Sequence, residues 1–263
     1  MVAETLPQID TGTDAVPHLR RLTQADITAA LRAGWKDFLA TPTQLLFLCI
    51  IYPAFGFVLA RAAAGGNLLP LVWPLMSGFA LVGPLAALGL YEISRRREAG
   101  LPTSWSDAFR VLQSPALMQI IGMGVIMAVI FALWLLTAQG IFAVTMGDVS
   151  HEGPLALVAD VFSRPGGWAL LLLGNAAGFL FAVLVLALSA ISLPMLLDRH
   201  VSLGTAIGTS FQVFNENRPV MLGWGLVVAL GLAVGMATLF VGLAVTLPLL
   251  GHATWHLYRR VVV

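Results

Sequence analysis

ALMQIIGMGVIMAVIFALWLLTAQG, residues 116–140, is the stretch of sequence that decides the fold. It continues for 25 residues without a charged side chain. The apolar core of a bilayer is about 30 Å thick, and about 20 residues of α-helix cross it because each residue adds about 1.5 Å. This stretch therefore predicts a transmembrane helix.

Five further apolar runs resemble this stretch, and together they set the fold class. The chain is 59% hydrophobic and 10% charged, with a mean hydropathy of +0.90, whereas soluble domains contain about 25% charged residues. We therefore predict an all-α polytopic membrane protein with six transmembrane helices. The last two are so close together that residues 236–241 form either a tight turn or part of a re-entrant pair. The predicted spans are 43–63, 68–91, 116–140, 168–196, 220–237 and 241–258.

The basic residues indicate how the chain is oriented. Lys and Arg near the ends of membrane helices are retained on the cytoplasmic side. With the N-terminus inside, the connecting segments place twelve basic residues on the cytoplasmic side and only Arg61 and Arg164 on the outer side. We therefore predict that both termini are cytoplasmic.

Three amphipathic segments recur on the cytoplasmic side, at residues 23–39, 104–112 and 203–214. Each is followed by a proline at the start of the next span, where the missing N–H costs little. Each predicts a helix lying on the inner membrane surface. The sequence thus predicts three units, each an interfacial helix followed by a transmembrane hairpin. The predicted divisions are a disordered cytoplasmic tail at 1–22 and one membrane domain at 23–263, with units at 23–91, 104–196 and 203–263.

The residues missing from the spans limit the functions open to this chain. No predicted span has Asp, Glu, Lys or Arg in its interior, whereas proton relays and ion-coupled transporters place ionisable groups there. Walker, HExxH and GxSxG motifs do not occur in the sequence. We therefore predict no catalytic residues, no enzymatic activity and no nucleic-acid partner.

GHATWHLYRR, residues 251–260, is the strongest candidate for a ligand site. His252 and His256 are four residues apart, so their imidazoles project from the same face of a helix. Such a pair can bind a haem or copper, and these two residues form our candidate cofactor site. The simpler interpretation, in which no cofactor is bound, is that both histidines bond to neighbouring helices, while Trp255 and Tyr258 anchor at the headgroup level.

Two other groups of polar residues lie at the same predicted membrane level. Asp198 and Arg199 end the fourth span, and Arg95, Arg96 and Arg97 follow the second. Dense basic clusters beside a membrane helix can bind anionic lipid. The simpler interpretation is that these arginines fix the topology.

Four strings carry a resemblance to a known family. Over nearly the whole chain after about residue 17, the sequence resembles an uncharacterised family of bacterial integral membrane proteins, a domain of unknown function with some members labelled cytochrome c oxidase subunit I-like. The resemblance implies a bacterial inner-membrane location and a six-helix body. The strings are AGWKDF (33–38), GLYEISRRREAG (89–100), SAISLPMLLDR (189–199) and GHATWHLYRR (251–260).

The sequence leaves three functions open. The first is a non-enzymatic accessory, assembly or scaffold component, with the lipid bilayer and respiratory-complex or other membrane proteins as partners. The alternative is a carrier or channel for an uncharged or amphipathic small molecule. The second alternative is a haem- or metal-binding protein using His252 and His256. A catalytic oxidase subunit is excluded, because it needs histidines on several spans and only these two of the five histidines lie in one.

Overall fold

The described part of the chain is almost entirely helical, in agreement with the predicted all-α class. The computed structural model describes residues 18–41, 74–75, 83–147, 154–199, 201–238 and 240–263. Within these ranges we number nine α-helices and one 3-10 helix, η1. They are α1 Gln24–Ala40, α2 Leu88–Glu98, η1 Trp105–Gln113, α3 Leu117–Met146, α4 Pro154–Ser163, α5 Pro165–Ser189, α6 Ser192–Asp198, α7 Leu203–Glu216, α8 Arg218–Ala237 and α9 Leu243–Val261.

Three helical stretches are long and apolar enough to cross a membrane. They are α3, α5 together with α6, and α8, and they correspond to the third, fourth and fifth predicted spans. The first predicted span and most of the second lie outside the described residues. The sixth corresponds to α9, which is not among the three and whose second half carries two histidines and two arginines. The structure thus confirms the helical class and three candidate spans, and the arrangement of six spans remains a prediction.

The fourth predicted span is interrupted at Ala190 and Ile191, between α5 and α6. Pro194 lies four residues after Ala190 and has no N–H to donate to its carbonyl, which explains the interruption. Ser210 of α7 replaces part of the lost bonding, since its hydroxyl donates to the Ala187 carbonyl at 2.7 Å and lies 3.4 Å from the Ile191 N–H.

The three amphipathic segments all form helices with polar N-terminal caps. Thr23 with Asp26 caps α1 and Ser104 with Asp107 caps η1, both as capping boxes, while the Ser202 hydroxyl accepts the Thr205 N–H at the start of α7. The second segment forms a 3-10 helix and not the expected α-helix. Residues three apart eclipse each other in a 3-10 helix, and Arg110 accordingly bonds to Asp107 at 2.6 Å.

Each amphipathic helix packs against the helix that ends the preceding unit. The 3-10 helix η1 packs on α2, α7 packs on α5 and α6, and α1 packs on α9, which ends the last unit. The contacts therefore link the first predicted unit to the second, the second to the third, and the third back to the first. The division into three repeated units remains a prediction.

The two ends of the chain lie side by side. Leu19 forms an antiparallel bridge with Val262, the Arg20 N–H donates to the Val261 carbonyl, and the Val263 N–H donates to the His18 carbonyl. Residues 18–22 of the predicted tail are therefore held in place by the C-terminus, and residues 1–17 lie outside the described residues.

We expect Gly34→Ala to weaken the packing of α1 on α9. A Cβ at Gly34 would lie 2.6 Å from the backbone nitrogen of Ala253, and overpacking of this kind costs about 1–3 kcal/mol. Gly208→Ala on α7 is the matched control, because no atom of the described residues lies within 4 Å of its Cβ position and alanine is more favourable than glycine in a helix by about 1 kcal/mol. The thermal midpoint in detergent should fall for the first variant and hold or rise for the second. Equal midpoints would contradict the close approach of these helices.

Candidate functional site

The four strings that carry the family resemblance meet at one end of the helices. Side chains from α1, α2, α6 and α9 bond to one another there, across sequence separations of up to 219 residues. We call this group the polar cluster. Its members are Asp37, Glu92, Ser94, Arg95, Arg97, Glu98, Asp198, His252, Trp255, His256, Tyr258 and Arg259.

Asp37 of α1 is the centre of the polar cluster. Its Oδ2 accepts from the Ser94 hydroxyl at 2.6 Å and from His256 Nε2 at 2.8 Å. Its Oδ1 accepts from Arg97 Nε at 2.8 Å. The carboxylate is only 6% exposed, and a buried charge needs such compensation. One side chain of α1 thus connects this helix to both α2 and α9.

The same contacts define the hydrogen bonding of His252. Ser94 has a single hydroxyl hydrogen, which goes to Asp37, so the Ser94 oxygen accepts from His252 Nδ1 at 2.8 Å. His252 is then the neutral tautomer with its proton on Nδ1. Its Nε2 is buried and makes no hydrogen bond within the described residues.

Small residues allow the helices to approach closely enough for these bonds. Gly34 lies against the backbone of Ala253, and Gly251 lies against the side chain of Leu90. The Gly34 contact is one turn before Asp37, and Ala253 directly follows His252. Close backbone packing at small residues therefore brings the carboxylate of α1 to the imidazoles of α9.

The pKa of Asp37 reflects its surroundings. Burial acts to raise it, but the hydrogen bonds from His256, Ser94 and Arg97 outweigh burial and lower it to about 2. The folded state therefore favours the ionised carboxylate. The same holds for Asp26 at the start of α1, where burial is outweighed by bonds from Arg20 and Thr23 and the pKa falls well below its usual value.

A second set of contacts joins α9 to Glu98 and Asp198. Trp255 Nε1 donates to Glu98 at 3.0 Å, and the Tyr258 hydroxyl donates to Asp198 at 2.7 Å. Arg259 bonds to both carboxylates. Trp255 and Tyr258 are fully buried, so their rings contact protein and not lipid headgroups.

The basic run in the last turn of α2 is bonded within the chain. Arg95 makes two hydrogen bonds to Glu92, and Arg97 bonds to Asp37. Arg96 bonds to the Pro102 carbonyl at 3.2 Å and lies 3.7 Å from Asp107. Arg199, the other arginine singled out in the sequence at this membrane level, lies 4.0 Å from Asp198.

The two histidines both bond to side chains of other helices. Each has a ring nitrogen within hydrogen-bond distance of Asp37 or Ser94, and His252 is completely buried. In the part of the chain that the structure describes, no group of three or more His, Cys, Asp or Glu side chains is placed to hold a metal ion. The geometry therefore fits bonds between the histidines and neighbouring helices.

Sequence reasoning missed five members of the polar cluster, namely Asp37, Glu92, Ser94, Glu98 and Arg259. All five lie inside the strings that carry the resemblance. Three of them occur on α2 at positions 92, 94 and 98, beside the arginines that drew attention to this run. The useful signal was the carboxylates interleaved with the basic residues, which predict internal ion pairs.

The fold and the polar cluster together define a helical integral membrane protein with a group of bonded polar and charged residues at one end. Residues 72–198 match the model of a family described as predicted integral membrane protein (DUF2189), which confirms the resemblance to an uncharacterised membrane-protein family. This range contains the string at 89–100 and all but the last residue of the string at 189–199. No curated protein and no solved structure matches the chain.

We expect the stabilising effect of Asp37 to depend on pH. Its pKa is lowered on folding, so its contribution is fully present above about pH 4 and is lost as the pH falls towards 2. Asp37→Asn should lower the thermal midpoint at pH 7, and the difference from wild type should shrink between pH 4 and pH 2. Glu216→Gln, an exposed carboxylate on α7, is the control. A difference that stays constant over this pH range would argue against an ionised Asp37.

We also expect strong energetic coupling between Asp37 and His256. A double-mutant cycle with Asp37→Ala and His256→Ala should give a coupling of about 1–3 kcal/mol, as found for residues in one buried network. The matched cycle uses Asp160 and Arg164, a more exposed pair 2.8 Å apart, for which about 0.2–1 kcal/mol is typical. Reversible unfolding in mixed micelles provides the free energies. Similar values in both cycles would contradict the central position of Asp37.

Proposed function

We propose that this protein is a non-enzymatic integral membrane protein that acts by association, as an accessory, assembly or scaffold component in the membrane. It has six spans, and both termini are on the cytoplasmic side of a bacterial inner membrane. The oxidase-like label of some members of the family it resembles makes respiratory complexes the first partners to test.

The observation that carries this proposal is that the carboxylates of the polar cluster bond to side chains of the same chain. Asp37 accepts three hydrogen bonds, and Glu98 and Asp198 each accept from two side chains of α9. A catalytic acid, base or nucleophile must reach a substrate, whereas His252 and its neighbours are buried among protein atoms. These contacts suit a cluster that joins helices, and they favour a structural role for its residues.

The outward faces of two spans supply surfaces for association. Only 28% of the most apolar window of α3 and 22% of that of α8 are buried among the described residues, against 67% for α5 with α6. On α8 the exposed side chains form a stripe at every fourth position. It consists of Leu222, Leu226, Leu230 and Val234. Such a stripe lies on one side of a helix and can contact lipid or the helix of a partner.

The proposed topology has support from both ends of the chain. Residues 18–20 pair with residues 261–263, which supports a topology with both of these segments on the same side of the membrane. An even number of spans is required for that arrangement. Six spans satisfy it, and the distribution of basic residues favours the cytoplasmic side.

Purification from the source membrane in a mild detergent tests the proposal. We expect subunits or assembly factors of a membrane complex to copurify in stoichiometric amounts, as identified by mass spectrometry. A photo-crosslinking residue at Leu226 should capture one of these proteins, because this position is 60% exposed on the α8 stripe. The same probe at Gln212, an exposed position on α7, is the control and should not capture it.

Two other outcomes would overturn the proposal. A preparation without partners, with Leu226 crosslinked only to lipid, would favour the carrier or channel. An absorbance band of haem that disappears in His252→Ala and His256→Ala, but persists in Trp255→Phe, would favour the cofactor-binding protein.

A further inference from the structure

The structure divides the basic residues of the chain into two groups. Most of the arginines at the end with the polar cluster are ion-paired to carboxylates of the same chain, including the three of the run at 95–97. Four exposed basic residues have no described carboxylate within ion-pair distance, namely Arg21, Arg32, Lys36 and Arg218, of which Arg218 bonds to Asn215. Two of the four, Arg32 and Lys36, lie on α1, whereas the denser basic run at the end of α2 is ion-paired within the chain.

The two faces of α1 are sharply separated. Its buried residues are Ile27, Ala30, Gly34 and Asp37, together with the capping Asp26. Arg32, Trp35, Lys36 and Leu39 are all exposed, and their spacing of three, four and seven residues places them on one side of the helix. We call these four residues the outer face of α1. It combines two cations with apolar side chains, and the packing on α9 holds it in place.

The apolar members of the outer face indicate what environment it meets. Trp35 is 44% and Leu39 66% exposed, and the Trp35 ring is 5.3 Å from that of Phe38. Tryptophan is enriched at the headgroup level of membranes, where its apolar ring and polar N–H are both accommodated. The first predicted span starts at residue 43, three residues after α1 ends, so the outer face is close to the membrane boundary along the chain.

We propose that the outer face of α1 is a binding site for anionic phospholipid, in which Arg32 and Lys36 bind the headgroup phosphate while Trp35 and Leu39 enter the interface beside it. Lipid is favoured over a soluble acidic partner because the cations alternate with exposed apolar side chains next to a predicted span. This inference goes beyond the proposed function and is independent of any partner protein.

Native mass spectrometry of the purified full chain tests the proposal. Dioleoyl phosphatidylglycerol or dioleoyl phosphatidylcholine is added to the protein in non-ionic detergent at low salt, and the bound lipid is counted. We expect wild type to prefer the anionic lipid. Arg32→Gln with Lys36→Gln should weaken phosphatidylglycerol binding about tenfold or more, as expected for two basic residues near the surface, and leave phosphatidylcholine binding unchanged.

The control variant removes two charges elsewhere. Arg164→Gln with Arg218→Gln changes exposed arginines, of which one bonds to Asp160 and the other to Asn215, and it should retain the preference. Inorganic phosphate at millimolar concentration should not displace the lipid. A wild type without preference, equal losses in both variants, or displacement by phosphate would each overturn the proposal. Matching thermal midpoints of the variants establish that the fold is intact.

Discussion

A carboxylate removed from water must be neutralised by its neighbours, and at Asp37 this requirement organises one end of the molecule. The three groups that bond to it come from α2 and α9, so α1 can dock only where both of these helices are already in place. Removing any one of the three donors would leave a buried charge partly uncompensated, which costs more than the bond itself contributes. The position of the first helix is therefore set by a charge and not mainly by apolar contact area.

Small residues let the helices approach closely enough for the side chains of this charge network to bond. Gly34 against Ala253 and Gly251 against Leu90 bring helix axes close together, and the long polar side chains of α2 and α9 then reach one another across the gap. Most of the arginines at this end of the molecule are ion-paired within this network. The surfaces that can interact with lipid or protein therefore include the apolar faces of α3 and α8 and the outer face of α1. The internal bonding of the other arginines leaves these surfaces as the accessible ones.

The helical class and three of the spans could be predicted from the sequence, because the cost of placing charges in lipid produces long uncharged runs that are unambiguous. The amphipathic helices were also predictable, from caps such as Thr23 with Asp26 and from the prolines that follow them. The partners of His252 and His256 were not, because Asp37 is 219 residues away from His256 and local periodicity carries no information about which helix ends meet. The same reason explains why Trp255 was expected at the headgroups, although its indole is buried against Glu98.

The meeting of the first and last helices has a consequence for biosynthesis. During translation α1 is completed long before α9, and it has to remain without its partner until nearly the whole chain has been inserted. Until then the charge of Asp37 and the bare backbone at Gly34 face outward. A chain that stalls or is cleaved before residue 252 lacks both histidines and leaves this surface uncovered, so that an unoccupied α1 distinguishes an incomplete polypeptide from a finished one.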